Sequence, residues 1–473
     1  MYEVPEEYFY RIHHIRPRFK NDVENVLFYM ATEIAKLDPE KQEAFKEKLN
    51  NTIKFYPGNT SKEEKTINNW RTEISALFGL IEYEGEVSKP GRMSLLLSET
   101  QDLIEFFRYF LFYFQYPGGH LKPAETLEFI KAGIRLKPAK YLMQVMLEGK
   151  KLVGDEGKFG ITKAEATHLI FNDLRVTRDH RPAKETAEII LENRKNDVQY
   201  DNSGDVIRYA GDVLDYMELA DLVKLRPNYQ YYLNTINLET IQAFINDGNY
   251  FEPYEALYGK ADVSIADVVA TQQAWFHYVN NKLDSSIFKA NILSIIEEAG
   301  ATTEDAEKSA IIKEVLARIQ ATREGQAIKT KEIGDIGETM VIEHEKARLT
   351  ILTREDLLHL IKKIPETFAV GYDISSYEGE GDIRRYIEVK TSISRGRLAA
   401  QNFHMTPSEW SAANSLRKTY FVYRLMISTN DVSLFLIQDP VGQYKSDLLD
   451  MIPRDGADIR YNEKSGVWEK LLV

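Results

Sequence analysis

Three residues near the end of the chain have the types and spacing for phosphodiester chemistry: Asp373, Glu388 and Lys390. A hard divalent cation such as Mg2+ takes one or two carboxylates and completes its shell with water and phosphate oxygens, which makes Asp373 and Glu388 candidate metal ligands. Such an ion polarises the phosphoryl group and lowers the pKa of a bound water. Lys390, two residues beyond Glu388, can hold the attacking water and balance the charge that develops on phosphorus. Mg2+ is the expected cofactor.

The flanking sequence must bring the three together. Val370 to Ser375 and Arg385 to Thr391 alternate or run apolar as strands do, and Glu378-Gly379-Glu380-Gly381-Asp382 between them is turn chemistry. The two strands should form a hairpin. Alternation then places Glu388 and Lys390 on one face and Ile387 and Val389 in a core, with Asp373 joining from the other strand. The alternative is a surface hairpin carrying a cross-strand ion pair. Spacing, turn and downstream pattern agree on the site.

Asp373 followed by Glu388-Val389-Lys390 resembles the PD-(D/E)XK motif shared by restriction enzymes and Holliday-junction resolvases, with Tyr372 in place of the proline. In such nucleases a helix ahead of the motif often supplies another acid. Gly334-Asp335-Ile336-Gly337-Glu338 is similar to the opening of that helix, which makes Glu338 a further catalytic candidate. An acid stabilised by the dipole in a helix's first turn is its alternative reading.

The 473 residues, 43% hydrophobic and 28% charged, suit a chain of about three domains without disulfides, since there is no cysteine. Residues 1–7 lack the basic start and apolar core of a signal peptide, so the cytoplasm is the expected compartment. Leu103 to Tyr116 is apolar and aromatic but is interrupted by Glu105, Arg108 and Gln115 and is too short to span a bilayer, so no membrane partner is expected. The net charge of -13 argues against loose coating of DNA, though not against a local basic face.

Ser61-Lys62-Glu63-Glu64 has capping-box character and Gly79 is a stop signal, so a helix should run between them. Ile67, Trp70, Ile74, Leu77 and Phe78 form its apolar stripe, while Lys65, Asn68, Asn69, Arg71 and Thr72 on or near the other side suit base edges and phosphates. Leu80 to Tyr83, a turn at Glu84-Gly85-Glu86 and a return carrying Lys89 and Arg92 follow. Helix then hairpin is the layout of a winged helix, in which Lys89 and Arg92 would be wing contacts. A helix and hairpin used only for packing is the alternative.

The layout recurs. Thr162-Lys163-Ala164-Glu165 is a capping box, a helix follows Pro182, and Val206, Tyr209, Ala210, Val213, Leu214 and Met217 make a third stripe ahead of a hairpin of Asp221–Leu225 and Tyr229–Leu233. Arg208 shares the expected exposed side with Asp212 and Asp215, so only the start of this helix suits DNA. Residues 237 to 325 read as helical, with a charged helix from Glu304 to Arg323, and His277, His344 and His404 as packing or surface residues. After the motif, Arg395 and Arg397 could hold DNA backbone, Thr406-Pro407-Ser408-Glu409 caps a helix to about Leu416, and Tyr420–Ile427 and Val432–Ile437 read as strands. Glu409 is expected to be structural.

Asn69-Trp70-Arg71-Thr72-Glu73-Ile74, Gly91-Arg92 and Phe114-Gln115-Tyr116-Pro117-Gly118-Gly119 resemble the recognition half of type IIS restriction endonucleases of the BpuJI kind, whose winged-helix subdomains precede a resolvase-like nuclease domain. The resemblance implies a multidomain α+β protein with a mainly helical N-terminal half bearing winged-helix modules and a C-terminal α/β PD-(D/E)XK domain. The expected divisions are 1–155 and 156–236 as recognition modules, 237–325 as a helical spacer and 326–473 as nuclease. The expected activity is site-specific, Mg2+-dependent cleavage of double-stranded DNA away from the recognition site, by a stable or transient homodimer. A modification-dependent or junction-directed nuclease, or a DNA-binding protein with an inactive nuclease fold, are the competing expectations.

Overall fold

A computed structural model describes residues 1–13, 23–56, 63–154, 157–281, 286–302, 309–310, 312–313, 316–317, 333–396, 402–453 and 456–472. Ser61 and Lys62 of the expected cap, most of the expected 304–323 helix, the 325/326 boundary and Arg397 lie outside them. The chain divides into two compact units, residues 1–99 with 103–290 and residues 100–102 with 291–473. Both expected recognition modules fall in the first unit, apart from residues 100–102. So does 237–290 of the expected spacer, whose Trp275 and Phe288 are core residues.

In the first unit the helix Glu64–Thr72 continues as a wider π-helical turn, Glu73–Leu77. Ile67, Trp70, Ile74, Leu77 and Phe78 are all buried, as the stripe predicts. Strands β2 (Ile81–Glu84) and β3 (Val87–Pro90) follow as an antiparallel hairpin, and β1 (Glu40–Lys41) pairs with β3 on its other side. The helix Leu103–Tyr113 runs through the core. Its buried Arg108 donates to the carbonyls of Ala220 at 2.8 Å and Lys289 at 2.7 Å, which satisfies a charge that could not otherwise remain there. Among the described residues no helix is long and apolar enough to cross a membrane.

The second helix-and-hairpin group starts at the Thr162 capping box, where the Thr162 N–H donates to Glu165 at 2.8 Å and the Glu165 N–H donates to the Thr162 hydroxyl at 3.1 Å. Helices Ala183–Lys195 and Gly204–Leu219 precede β4 (Val223–Leu225) and β5 (Tyr231–Leu233). Ala210, Val213, Leu214 and Met217 are buried, whereas Val206 and Tyr209 are half-buried. Asp212, expected on the exposed side, is fully buried, because this helix packs on more than one side, against 103–113 and against Lys163–Ala166.

The second unit is built on a six-stranded mixed sheet in the order β14-β11-β10-β8-β7-β6. Its strands are β6 (Lys362–Lys363), β7 (Ile374–Tyr377), β8 (Arg384–Ile393), β10 (Tyr420–Ile427), β11 (Val432–Gln438) and β14 (Val467–Glu469). The β7–β8 hairpin pairs Ile374 with Ile387, and β8 runs parallel to β10 with Glu388 opposite Val422 and Lys390 opposite Arg424. A smaller antiparallel sheet places β13 (Ala457–Tyr461) between β12 (Leu449–Pro453) and β9 (Asn402–Met405).

The helix Ile333–Ile351 lies against β8 so closely that a methyl on Gly337 would come within 1.9 Å of the Thr391 hydroxyl. A buried ionic group fixes it there. Glu345 accepts from Arg348 Nε at 3.0 Å and Nη2 at 2.7 Å and from the Tyr423 hydroxyl at 2.7 Å, and Arg385 lies 3.6 Å away. Arg348 also donates to the carbonyl of Glu378 at 2.8 Å, so helix, β7, β8 and β10 meet in one network. Removing one partner of such a buried pair leaves the others desolvated and uncompensated. Glu345→Ala is therefore expected to destabilise the second unit by about 3 to 5 kcal/mol in urea denaturation, and a loss below about 1 kcal/mol would contradict this account.

Candidate active site

Asp373 is fixed by backbone immediately ahead of β7. Its N–H donates to the Ile387 carbonyl at 2.9 Å, and its Oδ2 accepts the Val389 N–H at 2.8 Å. The carboxylate is thus hooked onto β8 between Glu388 and Lys390. Alternation along β8 buries Ile387 and Val389 on one face and sends Glu388 and Lys390 to the other. There the Lys390 ammonium lies 2.7 Å from Glu388 Oε1 and 2.7 Å from Glu409 Oε2.

Glu409 has two jobs. It is the capping-box acid of the helix Pro407–Leu416, accepting the Thr406 N–H at 3.1 Å while its own N–H donates to the Thr406 hydroxyl at 3.3 Å. The structural role read from sequence is present, and the contact with Lys390 is the part that reading missed. The helix sits in the connection between β8 and its parallel neighbour β10, which was the available signal that its first turn could return to β8.

The loop carrying Asp373 is clasped from two sides. The Tyr420 hydroxyl donates to the Gly371 carbonyl at 2.9 Å, and a methyl on Gly371, at φ 80°, would lie 2.3 Å from the Ser408 carbonyl oxygen. Only glycine meets both the left-handed backbone and that approach. Beneath Lys390, the buried Arg424 donates to the Lys390 carbonyl at 3.0 Å and to the Ser392 hydroxyl at 2.9 Å.

Glu338 stands in the second turn of the 333–351 helix, where Lys363 bridges Glu338 Oε2 and Asp335 Oδ1 at 2.7 Å each. Lys363 carried no sequence signal. Burial raises the Glu338 carboxyl above the usual range, Lys363 opposes this, and Asp373 adds to it. Burial likewise raises Asp373, against the Val389 N–H and Lys390, and pushes Glu388 well up, against Lys390, with Asp373 and Glu409 adding. Burial alone would lower the Lys390 ammonium, yet Glu388 and Glu409 outweigh it and hold the proton on. Five carboxylates, those of Asp335, Glu338, Asp373, Glu388 and Glu409, and the ammonium groups of Lys363 and Lys390 therefore interact as one set.

The donor set fits a hard divalent cation. Asp373 and Glu388 are oxygen donors held next to each other by the strand pairing. Among the described residues no group of three or more His, Asp or Glu side chains is placed to hold a metal, so the remaining ligands would be water or substrate.

The expected DNA contacts are distributed over the first unit. Lys65 is exposed, and Asn68, Asn69, Arg71 and Thr72 are half-buried on the same helix. Arg71 donates to Asn50 Oδ1 at 2.9 Å, and the Thr72 hydroxyl donates to the Asn68 carbonyl at 2.9 Å. Lys89 is on β3 and pairs with Glu84 at 2.7 Å. Arg92 lies beyond the hairpin, opening the helix Arg92–Thr100, with its guanidinium 5.3 Å from the Tyr109 ring centroid and 3.4 Å from the Asn280 carbonyl. Arg208 pairs with Asp205 at 3.2 Å and donates to the Tyr209 hydroxyl at 3.1 Å. In the second unit, Arg395 pairs with Glu298 at 3.1 Å.

Fold and site together define an α+β protein in which one unit carries helix-and-hairpin groups and the other an acid and lysine cluster on a mixed sheet. The family described as restriction endonuclease BpuJI, N terminal, matches residues 2–276, and the chain belongs to that family. Residues 337–437 are similar to a second family, protein NO VEIN, C-terminal, and this stretch contains Glu338, Asp373, Glu388, Lys390 and Glu409. A crystal structure of pyrene- and phenanthrene-modified DNA in complex with the BpuJ1 endonuclease binding domain is similar at 26% identity and a TM-score of 0.51, covering 59% of this chain and 99% of that one. No curated protein matches the chain.

The raised carboxyls have a measurable consequence. Between the unfolded glutamate value of about 4.3 and its higher folded value, Glu388 binds more protons folded than unfolded, so its contribution to stability falls as pH rises through that window. Without divalent cations, the urea midpoint of the wild-type protein relative to Glu388→Gln should fall as pH rises from about 4.3 towards neutrality. Parallel pH profiles for the two proteins would contradict the assignment.

Proposed function

We propose that the chain is a sequence-specific endonuclease for double-stranded DNA, of the type IIS kind, acting in the cytoplasm with Mg2+. The observation that carries the reading is the convergence of Asp373, Glu388 and Lys390 on one hairpin, in a chain whose first part belongs to a restriction endonuclease family. The first unit reads sequence through winged-helix-like groups. The second unit, of PD-(D/E)XK type, cuts at a displaced position. The DNA in the similar BpuJ1 complex supports the first half of this, and the residue types on the 64–72 helix suit base edges.

Asp373 and Glu388 would hold the cation, which when bound supplies charge neutralisation at the phosphoryl oxygens and a more acidic water. The chain's own part is positional. Val389 N–H fixes the orientation of Asp373, and Lys390, whose proton is held on by Glu388 and Glu409, would present a donor to the attacking water or to a phosphoryl oxygen. Glu338, with Lys363 against it, closes the acidic set on the side of the 333–351 helix.

Asp373→Ala, Glu388→Ala and Lys390→Ala should each abolish plasmid cleavage in Mg2+ while leaving DNA affinity within a few-fold in a gel-shift assay. Near-normal cutting by any of the three would remove the assignment. A second expectation concerns assembly. One such constellation serves one strand, and opposite strands run antiparallel, so two chains paired about a two-fold axis are the simplest route to a double-strand break. Excess Glu388→Ala protein added to wild type should therefore convert double-strand breaks into nicks, and an unchanged product distribution would argue for action by single chains.

A further inference from the structure

We propose that Glu409 is a positioning residue, which retains Lys390 beside the reacting phosphate when Glu388 turns to a divalent cation. The inference rests on the nuclease reading above. Lys390 is shared between two carboxylates at equal distance, Glu388 Oε1 and Glu409 Oε2, both at 2.7 Å. A cation arriving on Glu388 brings positive charge next to the ammonium and competes for the same oxygen. An ammonium whose only carboxylate is Glu388 must either block the cation or be displaced. Glu409 offers a third outcome, in which Lys390 gives up one partner and keeps the other.

Glu409 is built to stay in place. The oxygen that receives Lys390 also accepts the Thr406 N–H at 3.1 Å, and Pro407 stands at the first helical position. Ser408, its neighbour, abuts Gly371, so the backbone that carries Asp373 and the backbone that carries Glu409 brace each other. Burial leaves Glu409 little room, since its side chain is 14% exposed. A cap alone would need no second cation partner in this position.

The test separates cap from charge in the full-length protein. Glu409→Gln preserves capping-box hydrogen bonding and removes the carboxylate. MnCl2 titration by calorimetry without DNA should show binding weakened by about tenfold, because Lys390 falls back on Glu388, and plasmid cleavage at saturating Mg2+ should slow by at least about tenfold, while the urea midpoint holds. In a Lys390→Met background the same Glu409→Gln change should leave Mn2+ affinity unaltered, since the competing ammonium is gone. Thr406→Ala, which weakens the cap and keeps the carboxylate, should lower the urea midpoint and leave Mn2+ affinity within about twofold. Wild-type affinity and rate in Glu409→Gln would overturn the inference alone, as would a loss of affinity that persists undiminished without Lys390. Wild-type protein that takes up no Mn2+ would overturn the nuclease reading and this inference with it.

Discussion

The second unit depends on making several carboxylates tolerable in a place with little water. Glu388 is 4% exposed and sits opposite Asp373 across a strand pair, which in a low-dielectric setting opposes ionisation of both. Lys390 answers this, but an ammonium on a flexible stem holds a geometry only if its own backbone is held. The structure does that from below, with Arg424 on the Lys390 carbonyl, and from the side, with an eight-residue parallel pairing between β8 and β10. It is held from above by the contact of Gly371 with Ser408, which sets the distance between the Asp373 loop and the Glu409 helix. The precision of the site is largely a property of backbone contacts.

The opposite face of β8 shows what the same fold does when a buried acid is given enough partners. Glu345 is completely buried, and burial again pushes its carboxyl up. Arg348, Arg385 and His344 outweigh this and leave it lower than an ordinary glutamate. Glu345 is thereby committed to one charge state and one set of contacts, as a joint between helix and sheet should be. Glu388, Asp373 and Glu338 are left under-compensated by protein. Arg348 and Arg385 serve the joint, whereas the two cations that pair with the acids of the candidate site are lysines, Lys363 and Lys390.

Much of this was legible in the sequence because the site obeys period two. Alternation around Ile387 and Val389, a glycine-rich turn and the strand from Tyr420 to Ile427 could be read directly, and the last has those boundaries in the structure. Lys363 could not be read, since a two-residue edge strand, Lys362–Lys363, has no period to detect. Glu409 was half-legible: a cap is a local pattern, whereas its ion pair depends on a strand nineteen positions earlier. Arg92 and Asp212 fail for a common reason. Local pattern places them on a hairpin and an exposed face, but Arg92 lies over Tyr109 beside Asn280, and Asp212 is enclosed by helices distant in sequence. The C-terminal likeness also has its limit, for the family found over 337–437 carries the name of NO VEIN and not of a nuclease.

The charge of the molecule bears on how such a chain could read DNA at all. With a net charge of -13 it has no general excess of cations to offer phosphate, and three of the cations on the proposed reading surfaces are already engaged: Arg71 with Asn50, Lys89 with Glu84, Arg208 with Asp205. Each would exchange an internal partner for a phosphate, so the electrostatic gain per contact would be smaller than for a cation taken from water. Asn68, Asn69 and Thr72 carry no charge and give up no ion pair or charged partner by such a contact. In a protein so arranged, discrimination falls on neutral hydrogen-bonding groups that match base edges, and phosphate contacts serve to orient the duplex against them.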